Sequence, residues 1–195
     1  MLIAQYLVLT GYGHWLPNDP RGSMSHEFRS EEIPTLGDIH HGRAVNRPPS
    51  EKLRGFYREA KPLLLHKTLW STDAERQVIG DAIGEVVRRE RLTCYAVAVL
   101  RDHVHLLIRK HRLRGEEMIR RFKIHTRDLL LAAGLTPLAH PVWSEDSCHL
   151  YKNTPDEVRI CIAYIWDNYA KHRLSPVPVD FVTPYNNWPF HKNSM

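Results

Sequence analysis

The stretch "TCYAVAVLRDHVHLLIRK", residues 93–110, decides the fold. Each half is short, apolar and rich in β-branched residues, which is how a buried strand reads. Only Arg101 and Asp102 stand between the halves, and two residues is a tight hairpin length. Side chains alternate along a strand, so Val104, Leu106 and Ile108 share one face while His103, His105 and Leu107 share the other. A core strand has no packing use for two imidazoles, and these two need another explanation.

Outward from the hairpin the pattern switches to helical spacing on both sides. Upstream, Thr72 and Glu75 form a capping box, and Ala74, Val78, Ile79, Ala82, Ile83, Val86 and Val87 recur on one helix face as far as about Arg91. Downstream, residues 115–133 read as a second amphipathic helix stopped by Gly134, and "PVWSEDSCHLYK" (141–152) as a weaker strand. At the start, "LIAQYLVLTGY" (2–12) is a buried strand ended by glycines. The order β-α-β-β-α-β predicts an α+β, ferredoxin-like fold with an antiparallel sheet, helices on one face and the other face open to a ligand.

Two additions decorate this frame within a single domain, residues 1–195. The first is a long insertion, residues 16–71, rich in Gly, Pro, Asn, Asp and Ser, with a short helix at residues 50–60. The second is an extra C-terminal helix that opens at "TPDE", with Thr154 as N-cap, Pro155 in the first turn and Glu157 closing a capping box. It should run to about Arg173 and be halted by Pro176, leaving residues 174–195 as an irregular, Pro-rich surface tail.

Composition narrows the function classes. A chain of 195 residues with 43% hydrophobic content can bury one real core. Its net charge of +5 permits a nucleic-acid partner without demanding one. Three scattered cysteines with no C-x-x-C argue against a disulfide framework or a Cys-rich zinc site. The N-terminal apolar run is too short to span a bilayer and lacks a basic leader, so a cytoplasmic protein with no membrane partner is expected.

Imidazoles two residues apart on a strand have Cβ atoms roughly 6.5–7 Å apart, close enough to share one metal ion. The same spacing also suits two solvated polar positions. In the last helix Val158, Ile162, Ile165 and Tyr169 make the core stripe, while Tyr164 and Asn168 sit one turn apart on its flank with Lys171 nearby. A Tyr in such a place can also be a core-edge residue with its hydroxyl in water.

Three segments, in order, carry a family resemblance. "DHVHLL" (102–107) resembles the His-hydrophobic-His (HUH) motif of the single-tyrosine transposases of small insertion sequences and their REP-associated relatives, with Arg101 where Pro is common. "AYIWDNYAKHRL" (163–174) is similar to that family's Tyr-Ile-x-x-Asn-Pro-x-(Lys or Arg) segment, with Tyr169 in place of Pro. "TGYGHWLPNDPRGS" (10–23) looks like the Thr-Tyr-Gly-x-Trp-Leu-Pro opening of one subgroup.

The resemblance implies cleavage and rejoining of single-stranded or hairpin DNA through a 5′-phosphotyrosine intermediate. Tyr164 would be the nucleophile, and His103, His105 and Asn168 the ligands of a Mg²⁺ or Mn²⁺ ion. DNA contacts are expected from Lys110, Arg112 and Arg114, from Arg120, Lys123 and Arg127 on one face of the following helix, and from Lys171. Trp15, Trp143 and Trp166 are candidates for base stacking, and Asp19, Arg21, His40 and His41 for further contacts. The active form would be a monomer or a homodimer. The alternative is a non-catalytic nucleic-acid-binding protein on the same fold. An RRM-like RNA binder fits less well because "TCYAVAVL" lacks the aromatic pattern of that module, and a metal-dependent hydrolase lacks H-E-x-x-H or a catalytic carboxylate pair.

Overall fold

The computed structural model describes residues 1–23, 33–42, 44–46 and 48–190. Four strands, Ala4–Gly11 (β1), Cys94–Val99 (β2), His103–Arg109 (β3) and Trp143–Lys152 (β4), form one antiparallel sheet in the order β2-β3-β1-β4. The helices are Ser50–Ala60 (α1), Asp73–Arg89 (α2), Gly115–Ala132 (α3) and Pro155–His172 (α4). Chain order and sheet order together make the ferredoxin-like α+β frame. The hairpin closes as its sequence requires: Leu100 N–H donates to the His103 carbonyl at 2.9 Å across the Arg101–Asp102 turn.

Local chemistry sets the helix starts. Thr72 and Thr154 each accept from the backbone N–H three residues on, and Glu75 and Glu157 return the bond, completing two capping boxes. The end of α4 differs from expectation. It stops at His172 because Arg173 turns left-handed (φ 54°) and Leu174 N–H bonds the Tyr169 carbonyl, three residues before Pro176 acts.

The sheet divides two cores. Leu7, Leu9, Val97, Val99, Val104, Leu106 and Ile108 face α2 and α3, packing on Ile79, Ile83, Met118 and Phe122. The opposite face was expected to be open, and it is not. There Tyr6, Ala96, Ala98 and Leu107 pack against Val158, Cys161, Ile165 and Tyr169 of α4. The apolar stripe of α4 needs burial, and the half of the sheet that α2 and α3 leave bare is where it finds it. The Tyr169 hydroxyl accepts from Val99 N–H at 3.1 Å and ties the helix to β2.

The tail is irregular but docked. Val177 and Phe181 lie over Gly80 and Gly84 of α2, where a Cβ would come within 2.9 Å and 2.7 Å of their side chains. Further on, Thr183 N–H donates to the Cys94 carbonyl at 2.7 Å and Tyr185 packs on Tyr95, covering the β2 edge. Replacing Gly84 with Val should displace Phe181 and cost about 2 kcal/mol. Thermal unfolding would report this as a Tm lowered by about 6 °C.

Within the insertion, Leu16, Ile33 and Ala60 are buried against Leu36, Phe56, Tyr57 and Leu64, a satellite core separate from the main two. No helix among the described residues is long and apolar enough to cross a membrane.

Candidate active site

β3 delivers both imidazoles to the α4 side of the sheet, where they are 6% and 4% exposed. Their Nε2 atoms approach to 2.9 Å. Two imidazole nitrogens at that distance need a shared positive particle between them, a proton or a metal ion. Two nitrogens each about 2.1 Å from one ion, at the right angle of octahedral coordination, lie about 3.0 Å apart. The pair therefore has the spacing of adjacent ligands without rearrangement.

The other ring nitrogens are held. His103 Nδ1 is hydrogen-bonded to Asp102 Oδ1 at 2.7 Å, and His105 Nδ1 to the Tyr6 hydroxyl at 2.7 Å. Such outer partners orient a ligating imidazole and set which nitrogen faces the ion. Burial raises the Asp102 carboxyl, but its bond to His103 and the charges of His103, His14 and His172 outweigh burial and bring it down to about 2. His105 is pushed well below the ordinary histidine value, first by burial and then by the His103 charge, so it is neutral and able to ligate. Burial likewise lowers His14, whose Nε2–H donates to the Leu69 carbonyl at 2.6 Å, and His172.

α4 meets this pair through Tyr164 and His172. Tyr164 lies edge-on to His105, ring centroids 5.6 Å apart, and edge-on to Tyr6 at 6.3 Å. Asn168 is buried and its amide nitrogen donates to the Tyr164 carbonyl at 2.7 Å. His172, a further turn on, meets His103 edge-on at 5.4 Å. The Lys171 ammonium stands 4.8 Å from the Tyr164 ring centroid. Among the described residues no group of three or more His, Cys, Asp and Glu could hold a metal ion, so any third ligand must be of another kind.

The sequence reading had not assigned Tyr6, Asp102, His14 or His172 to the site. Asp102 had a signal, being the neighbour of His103, and His172 had one too, lying at the helical spacing of Tyr164 and Asn168. Tyr6 had none, because strand register (Tyr6 opposite Leu107, Val8 opposite His105) is not written in local sequence.

The basic strip was expected to lead away from the histidines into the helix after β3. Arg120, Lys123 and Arg127 do lie along α3, but α3 packs on the other face of the sheet. Lys123 Nζ donates to the Ser144 and Glu145 carbonyls at 2.7 and 3.0 Å, and Arg127 to the Leu138 carbonyl at 3.1 Å. Lys110, Arg112 and Arg114 are exposed on the segment entering α3. Lys171 alone of the seven cations stands against Tyr164. Helical phase tells which side chains share a helix face; it does not tell which side of the sheet the helix will occupy.

The aromatic candidates part in the same way. Trp143 is a core residue whose indole N–H donates to Thr126 Oγ1 at 2.8 Å, and Trp166 is 40% exposed on α4. Trp15 reaches the site, its ring 5.5 Å from that of His103. Asp19, expected to be available for contacts, is fully buried beneath Arg21, and His40 Nδ1 is hydrogen-bonded to the Asp19 carbonyl at 3.1 Å.

No protein-family model matches this chain, and no curated protein matches it. Among solved structures, a REP-associated tyrosine transposase bound to a REP hairpin is similar over 95% of this chain and 90% of its own, with 14% identity and a TM-score of 0.45. A putative transposase from Deinococcus radiodurans is similar over 90% of this chain and 93% of its own, with 13% identity and a TM-score of 0.40.

Proposed function

We propose that the chain cleaves and rejoins single-stranded DNA, folded as a hairpin or presented by one, through a covalent 5′-phosphotyrosine at Tyr164. One observation carries the reading: a half-exposed tyrosine stands edge-on to His105, whose Nε2 meets that of His103 at 2.9 Å. The two imidazole nitrogens also converge at a spacing that suits adjacent ligands of one cation.

His103 and His105, with the Asn168 amide oxygen, would hold the Mg²⁺ or Mn²⁺ ion. When bound, the ion would draw charge from the scissile phosphate and offset the charge that builds on its oxygens. This ligand set is uncharged, so the ion keeps its full charge for the phosphate. The chain's own groups do the rest. Asp102 and Tyr6 hold the two rings in their ligating orientation through Nδ1. The Tyr164 oxygen attacks phosphorus as the bond to the 3′ oxygen breaks, and the proton the tyrosine gives up ends on the leaving strand as its free 3′-hydroxyl. Lys171 adds positive potential on the exposed side of the ring. A phosphotyrosine conserves the phosphodiester bond energy, so attack by a 3′-hydroxyl restores Tyr164 and joins strands.

The direct test incubates the full chain with labelled hairpin oligonucleotides and Mn²⁺ and looks for a covalent protein–DNA species on a denaturing gel. Adduct formation supports the reading. Hairpin binding with no adduct under any metal condition returns the chain to the non-catalytic binding class.

A second expectation concerns Tyr6. Tyr6→Phe keeps the ring and removes the hydroxyl that fixes His105 Nδ1. Loss of such an outer partner should weaken Mn²⁺ binding about tenfold, read by electron paramagnetic resonance titration. Unchanged affinity would show that packing alone orients His105.

A further inference from the structure

The entry to the insertion carries a feature that neither the main core nor the histidine pair requires. Trp15 sits at φ 49°, a left-handed backbone conformation that a bulky residue adopts at a cost of about 1 kcal/mol or more. The surroundings hold it there. Its backbone N–H donates to the Tyr57 hydroxyl at 2.9 Å, and Tyr57 belongs to the satellite core of the insertion. Glycine or asparagine would fill this position without strain, so the demand is for the indole itself.

The indole is paired. The Arg21 guanidinium lies 3.8 Å from its ring centroid. Arg21 is in turn gripped by Asp19, Nη2 to Oδ2 at 2.7 Å and Nε to Oδ1 at 3.0 Å, and its Nη2 donates to the Tyr57 hydroxyl at 3.0 Å. Tyr57 donates its own proton to Asp19. With its charge met by a fully buried carboxylate, Arg21 is a poor phosphate ligand, yet its flat face is kept and its side chain remains 25% exposed. Trp15 is half-buried, and its ring stands 5.5 Å from that of His103.

We propose that Trp15 and Arg21 form a stacking platform for an unpaired nucleobase adjoining the phosphate at His103 and His105, a reading that rests on the proposed single-stranded DNA chemistry. A rigid, charge-neutralised aromatic–guanidinium stack suits a base better than a phosphate. Bases stack on such surfaces whatever their sequence, which anchors the strand in register while leaving sequence to be read elsewhere. The insertion is then the device that holds a π-surface beside the candidate metal centre.

The test needs binding, not turnover. A hairpin oligonucleotide with randomised single-stranded arms is selected for binding to the full chain, and each arm nucleotide is then replaced in turn by an abasic one. Two variants are compared with wild type. Trp15→Gly removes the indole at a backbone angle glycine adopts freely, and Arg21→Lys keeps the charge opposite Asp19 while removing the planar face.

Wild type should lose about tenfold in affinity when one particular arm position becomes abasic. Both variants should bind the intact oligonucleotide about tenfold more weakly and be indifferent to the abasic change at that position. If Trp15→Gly fails to fold by thermal unfolding, Arg21→Lys carries the same comparison alone. An abasic penalty equal in wild type and variants at every position overturns the platform while leaving the DNA reading intact. Failure to select any bound oligonucleotide overturns the DNA reading first, and the platform with it.

Discussion

Tyr164→Phe should abolish the covalent adduct with hairpin DNA while leaving DNA binding within about twofold of wild type. Removing the nucleophile of a covalent mechanism typically costs four or more orders of magnitude in rate. The fold should not suffer. The ring keeps its edge contacts with His105 and Tyr6, the residue is 42% exposed, and the hydroxyl gives up a hydrogen bond with Tyr6. Denaturing gels report the adduct and gel-shift titration reports binding, so chemistry and affinity separate. Adduct yield in Tyr164→Phe equal to wild type would remove Tyr164 from the mechanism and send attention to the other site tyrosine. That is Tyr6, which burial, and after it the charge of neighbouring Tyr164, pushes far above the ordinary tyrosine range.

The second large effect concerns the histidine pair. His103→Ala and His105→Ala should each eliminate measurable Mn²⁺ binding and slow cleavage by about 10³-fold, the several kcal/mol expected when a Lewis acid leaves a phosphoryl-transfer site. Asn168→Ala should weaken Mn²⁺ less than either histidine change, because an amide oxygen is the weaker ligand. Isothermal titration with Mn²⁺ on the three variants ranks them, and wild-type affinity in both histidine variants would dismiss the metal centre. Both histidine variants should also be destabilised in thermal unfolding, since His103→Ala leaves the Asp102 carboxylate, and His105→Ala the buried Tyr6 hydroxyl, without its imidazole hydrogen-bond partner.

Much of the frame could be read locally. The two capping boxes place the starts of α2 and α4 because an N-cap satisfies backbone donors with side chains three residues away. The β2–β3 hairpin follows from two strand-like runs and a two-residue gap. Alternation assigned His103 and His105 to one face, and Tyr164 and Asn168 came from a helical offset of four. The reading stopped at contacts made across the fold. Local pattern did not show that α4 covers the histidine face, nor that α3 lies across the sheet from it.

The physical reason is the range of the interactions. Capping, alternation and helical phase are set by a handful of consecutive residues, so the sequence by itself determined the elements, their order and the faces on which the candidate groups lie. Which layer each helix joins, and in which register strands pair, depends on burying apolar area contributed by segments far apart in the chain. That tertiary choice laid α4 over β2 and β3, set Tyr6 against the far nitrogen of His105, and brought Trp15, at the entry to the insertion, beside His103. Two histidines on one face were legible from ten residues; Tyr6 and Trp15 beside them were not, because they come from a distant part of the chain.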